Sequence, residues 1–144
     1  CKEIISHKFE SWSKEDYVLI RLDRKVVGRA PLSVRQSGKI SDGTKLVVIG
    51  HPTGLPTKVA DGAWVRENSK AAYFSANLDT FGGNSGSAVF DAETGIVEGI
   101  LVRGENDYVY APGKNCRVPQ VCTNTGCMGE EVTRITIVNK LSNL

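Results

Sequence analysis

The sequence predicts an all-β protein built as an antiparallel barrel or sandwich. Short runs rich in β-branched and aromatic residues recur at close spacing along its 144 residues. Clusters of Gly, Pro, Asn, Asp and Ser separate them, and apolar residues almost nowhere follow the helical period. No internal repeat is visible.

Residues 1–15 are mixed and weakly patterned, and no element is assigned to them. Asp16-Tyr17-Val18-Leu19-Ile20-Arg21-Leu22 reads as a buried strand entered from the acidic corner Glu15-Asp16. Asp23-Arg24-Lys25 breaks it, and residues 28–44, rich in Ser, Gly, Lys and Asp, read as a linker between two packed units. The expected division is therefore 1–27, 28–44 and 45–144. Lys45–Gly50 is the next strand, halted by His51-Pro52-Thr53-Gly54. Short strands are expected at 58–60, 62–67 and 71–78, then at 88–90 and 96–102 around the turn Asp91–Gly95. A further one is expected at 107–110. Val132–Val138 is rich in β-branched residues, and Asn139–Leu144 is expected to close in a helical turn.

Composition excludes several classes. Hydrophobic residues are 40% and charged residues 24%, the balance of an ordinary globular domain with enough chain to bury a core. A net charge of +2 without any run of like charges gives no electrostatic basis for nucleic-acid binding. No apolar stretch is long enough to cross a bilayer as a helix, so no membrane partner is expected. The chain begins at Cys1 without an initiator Met, which reads as a mature or cut end. Its four cysteines, Cys1, Cys116, Cys122 and Cys127, permit two disulfides. The run C-x5-C-x4-C offers one close pair and has no His nearby to complete a structural zinc site, so no metal and no cofactor are expected. Disulfides imply a secreted or periplasmic protein, with Cys1 free to pair outside this chain.

The chemistry concentrates in Phe81-Gly82-Gly83-Asn84-Ser85-Gly86-Ser87, ahead of the apolar run Ala88-Val89-Phe90. Glycines on both sides let the backbone turn tightly and adopt positive φ. Such a turn presents the Ser85 hydroxyl at its apex and aims the amides of Gly83 and Ser85 at one point. A hydroxyl beside two convergent N–H donors is what acyl transfer requires. A plain hairpin turn is the competing reading, since Gly-Asn-Ser clusters punctuate many all-β chains.

Taken together, these residues resemble the trypsin-like, chymotrypsin-fold serine peptidases, in particular the bacterial branch that includes glutamyl endopeptidase. Gly83-Asn84-Ser85-Gly86-Ser87 is similar to the nucleophile motif in its bacterial GNSGS form. Asp16–Leu22 is similar to the segment whose Asp is the triad carboxylate, and it stands 69 residues before Ser85. Gly99–Gly104 resembles the strand that walls the specificity pocket, and Val132–Thr136 the strand before the C-terminal helix. Gly50-His51-Pro52 resembles the start of the second barrel. The resemblance implies a double β-barrel, with residues 1–27 ending the first barrel and 45–144 forming the second. It implies Ser85 as nucleophile, Asp16 as orienter of the base, and the Gly83 and Ser85 amides as oxyanion hole.

The resemblance also implies a catalytic His well upstream of the Asp, where this chain has only fifteen residues. His7 lies in Ser6-His7-Lys8 without the family's context, and His51 sits in a structural corner. Without a base Ser85 is a weak nucleophile. A longer protein whose N-terminal fragment supplies the His is the favoured expectation. A degenerate homologue acting as a protein-binding module and a truncated chain are the alternatives. For specificity, Asp79, six residues before Ser85, takes the place of the pocket-base residue and would pair with a substrate Lys or Arg. Glu130 would reinforce it, and Val102, Arg103 and Gly104 would line the wall. Leu101 stands where glutamyl endopeptidases use a His, which weakens a preference for acidic side chains.

Overall fold

Six antiparallel strands close on themselves to make the body of the molecule, which a computed structural model describes over residues 1–141. In chain order the strands are β1 (Glu3–Phe9), β2 (Asp16–Arg21), β3 (Lys45–Gly50), β4 (Lys58–Glu67), β5 (Tyr73–Ala76), β6 (Ala88–Asp91), β7 (Val97–Arg103), β8 (Tyr108–Tyr110), β9 (Arg117–Pro119) and β10 (Glu130–Arg134). The barrel runs β3-β4-β5-β10-β7-β6 and back to β3. Period-two alternation explains its core: Leu46 and Val48 of β3 point inward, as do Phe74 and Ala76 of β5. They meet Val65, Val89 and Val132, all essentially out of solvent. Closure leaves the barrel without an edge strand.

The sequence breaks at Asp61-Gly62, and two strands were expected around it. The structure instead carries one ten-residue strand, β4, through a bulge that shifts its register against β3 between Leu46 and Val48.

β1 and β2 form a separate two-stranded hairpin, with Glu3 opposite Arg21 and Phe9 opposite Asp16. β1 was not expected, and β2 is less buried than its composition suggests. Tyr17 is buried and Leu19 packs beside it against Val97, Ile135 and Val138, while Val18, Ile20 and Leu22 are exposed. A hairpin lying on the barrel by one face must turn its alternate residues outward.

Residues 28–44 make no strand of their own, but their second half packs closely. Val34 forms a bridge with Val97, and Ile40 enters the barrel core at 2% exposure. Arg35 grips the buried Glu98 through Nε and Nη2, at 2.5 and 2.9 Å. This bidentate pairing satisfies a carboxylate that would be costly to bury alone, and it raises the pKa of Arg35. After β7 the chain makes the β8–β9 ribbon and a loop closed by the Cys122–Cys127 disulfide. Cys1 and Cys116 are free and exposed, so one of the two expected disulfides forms. A 3-10 turn, Ile135–Ile137, ends β10, and the expected closing turn at 139–144 lies partly outside the described residues. Among the described residues no helix is long and apolar enough to cross a membrane.

Candidate active site

The loop from Asn77 to Ser87, between β5 and β6, is held from several sides. Gly82 donates its amide to Asp107 Oδ2 at 2.7 Å and accepts the Thr53 amide at 2.7 Å. Asn84 N donates to Phe81 O, Ser87 N to Asn84 O and Gly86 N to Leu101 O, the last at 2.7 Å. Gly83 has φ +98°, and a Cβ there would sit 3.1 Å from both His51 O and Thr53 N. A side chain there would be strained twice, by the positive φ and by the close backbone. Asn84 is buried beneath the loop, its side chain with that of Ser87 filling the space where Gly50 would carry a Cβ.

These bonds leave Ser85 exposed at the apex. Among the described residues, the amides of Gly83 and Ser85 donate to no acceptor, although their neighbours on both sides do.

Beside Ser85 lies a cavity of about 70 Å³ walled by Phe81, Leu101, Arg103, Gly104 and Glu130. It adjoins a larger one of about 420 Å³, bounded by Asp79, the Cys122–Cys127 loop and Glu105, Asp107 and Glu130, which line both. Glu130 is half-buried with its carboxylate against the backbone of Gly104. Burial pushes it up to about 7, helped by the charges of Asp107, Glu105 and Asp79, with the Thr80 hydroxyl pulling the other way. Glu105 and Asp107 also brace the walls, accepting the amides of Met128 (2.8 Å) and Gly82.

Of the residues singled out from sequence, Ser85, Arg103, Gly104 and Glu130 meet at the small cavity, with Gly83 in the adjoining loop. Asp79 is exposed and lines only the larger one. Val102 is half-buried on the wall strand. Asp16 opens β2 and lies 3.8 Å from Arg103 Nη1, outside the cavity lining. Among the described residues its carboxylate accepts no hydrogen bond. His7 is exposed on β1 opposite Val18. His51 is exposed with its ring nitrogens 3.3 Å from Leu55 O and Thr57 Oγ1. Neither lines the cavity. Sequence reasoning missed Glu105 and Asp107, although Glu105-Asn106-Asp107 directly follows the wall strand and that placement was the available signal. Glu105, Cys122 and Cys127 bring three donor atoms together, but both sulfurs are spent in the disulfide.

Ser85 thus stands exposed on a closed antiparallel barrel beside a pocket, between two amides that donate to no acceptor among the described residues. Residues 3–100 match the model of the trypsin-like peptidase domain, and the chain belongs to that family. Its fold is similar to two crystal structures of Rv3671c from Mycobacterium tuberculosis H37Rv. One is a serine-to-alanine mutant in an inactive form, with TM-score 0.56 and 13% identity over 92% of this chain and 58% of that one. The other is the Rv3671c protease in an inactive form, with TM-score 0.56 and 14% identity over 92% of this chain and 61% of that one. The chain thus spans about three-fifths of the length of the solved structures it matches. No curated protein matches it in sequence. The architecture is that of the chymotrypsin-like β-barrels.

Proposed function

We propose that the chain is the nucleophile-bearing part of a secreted or periplasmic serine endopeptidase of the bacterial GNSGS type. Residues 1–27 are the end of a first barrel, 28–44 the connection, and 45–144 the second barrel. The observation that carries the reading is Ser85 itself, exposed beside an acid-lined cavity between two amides that have no acceptor among the described residues. Ser85 attacks the scissile carbonyl, and the amides of Gly83 and Ser85 hold the oxyanion, a contribution of about 3 kcal/mol. Asp16, with an open carboxylate, orients a His supplied by a segment of polypeptide outside this sequence.

Specificity for Lys or Arg follows from charge. A cationic side chain entering the cavity beside Ser85 meets Glu130, Asp107 and Glu105, and Asp79 lines the larger cavity next to it. In a desolvated pocket such charge-assisted contacts are the strong ones. The backbone of Val102–Gly104 lies beside the substrate chain. The Cys122–Cys127 disulfide supports an oxidising compartment.

Intact mass after exposure to a fluorophosphonate tests the reading, with Ser85→Ala as control. A stoichiometric adduct on wild type alone is expected from the intact protein. Its absence there would sink the peptidase reading and favour an inactive homologue that binds polypeptides.

A further inference from the structure

We infer that Arg103 is a positioning residue, whose guanidinium holds Asp16 in register with the wall of the Ser85 cavity. The inference rests on Asp16 being the triad carboxylate. Arg103 is the last residue of β7, and its anchorage spans the barrel. Nε donates to Glu131 Oε2 of β10 at 2.6 Å, and the guanidinium lies 5.8 Å from the ring centre of Tyr73 on β5. The rest of the fork faces the hairpin. Nη2 donates to Lys14 O at 2.9 Å, and Nη1 stands 3.8 Å from Asp16 Oδ2.

The receiving turn is shaped for this. Lys14 adopts φ +62°, unusual for a residue with a side chain, while its amide donates to Glu10 O at 2.9 Å. Among the described residues, the hairpin has two other polar links to the rest of the chain, Asn139 N to Tyr17 Oη and Lys140 Nζ to Ile5 O. Both involve the C-terminal segment; Arg103 alone joins the hairpin at the Ser85 cavity. Because Glu131 takes the closest contact, Asp16 is held by charge and by the clamped turn. Among the described residues neither of its oxygens accepts a hydrogen bond, and Oδ1 is turned to no cation. A planar fork can engage Glu131, Lys14 O and Asp16 together, and the point charge of a lysine cannot.

A double-mutant cycle on the intact protein decides this, using kcat and KM for a Lys/Arg peptide substrate. Arg103→Met is expected to lower kcat on the order of 10²-fold, the scale of a misplaced catalytic group, with KM little changed. In an Asp16→Asn background the same substitution is expected to cost less than about twofold, because its effect runs through Asp16. Arg103→Lys is expected to recover only part of the loss. An equal loss in both backgrounds, or a rise in KM at constant kcat, would overturn the inference. Full kcat in Asp16→Asn would overturn the triad reading and the positioning role with it. Amide exchange separates the two failures. Faster exchange at Glu10 and Lys14 in Arg103→Met, with Gly86 and Leu101 unchanged, shows the clamp itself. Unchanged exchange at Glu10 and Lys14 means there is no clamp to lose.

Discussion

The barrel and the β1–β2 hairpin are made of similar strands, yet they use their apolar residues in opposite ways. In the barrel Leu46, Val65, Phe74, Val89 and Val132 turn toward a common centre and are lost from solvent. In the hairpin Ile4, Val18 and Ile20 remain in water, and only Tyr17 is fully committed to the contact beneath. A closed sheet has an inside and a two-stranded one does not. The proposed chemistry is split across this divide, with Ser85 on the self-sufficient part and Asp16 on the dependent one.

Substitutions can widen or erase that contrast. Phe74→Ala removes a fully buried ring from the barrel centre and is expected to cost about 3–5 kcal/mol in urea unfolding. A cost near zero would mean the barrel is no better packed than the hairpin. A smaller effect separates the two by pH. Glu130 holds its proton up to about 7 in the folded protein against an ordinary value of 4.5. Between those values the folded state binds a proton that the unfolded chain releases, so stability falls as pH rises through the window and levels off above it. Thermal melts across that range should show the decline in wild type and a flatter profile in Glu130→Gln. Over the same rise KM for Lys/Arg substrates should fall as Glu130 gains its charge. The smallest effect belongs to the hairpin surface. Val18→Ser, at 57% exposure, is expected to change stability by less than about 0.5 kcal/mol. A large loss there would give the exposed face a structural role.

The same divide governs what could be read from the sequence. Barrel strands announced themselves because a buried face enforces alternation, as in Lys45–Gly50 and Tyr73–Ala76. β1 was invisible because Glu3-Ile4-Ile5-Ser6-His7-Lys8-Phe9 has no fully buried residue to impose a pattern. β9, Arg117–Pro119, was hidden for the same reason inside the cysteine-rich loop. The segment read as a linker concealed Ile40 and the Arg35–Glu98 pair, contacts made far from it in sequence. At the site, the Ser85 loop was legible because its glycines are demanded by the backbone. Glu105 and Asp107 were not, since an acidic pair after a strand looks like any solvated turn until folding brings it beside Glu130.

Gly50 carries a consequence for how such a site can change over time. It belongs to β3, not to the loop, yet Asn84 and Ser87 occupy the space any side chain there would need. The cradle of Ser85 is thus encoded partly in a strand outside the loop that carries it. A lineage drifting at that position would lose the shape of the turn while every residue of the motif stayed intact. The heptad alone is therefore an incomplete signature of a working site, and the glycine beneath it belongs to the same inheritance.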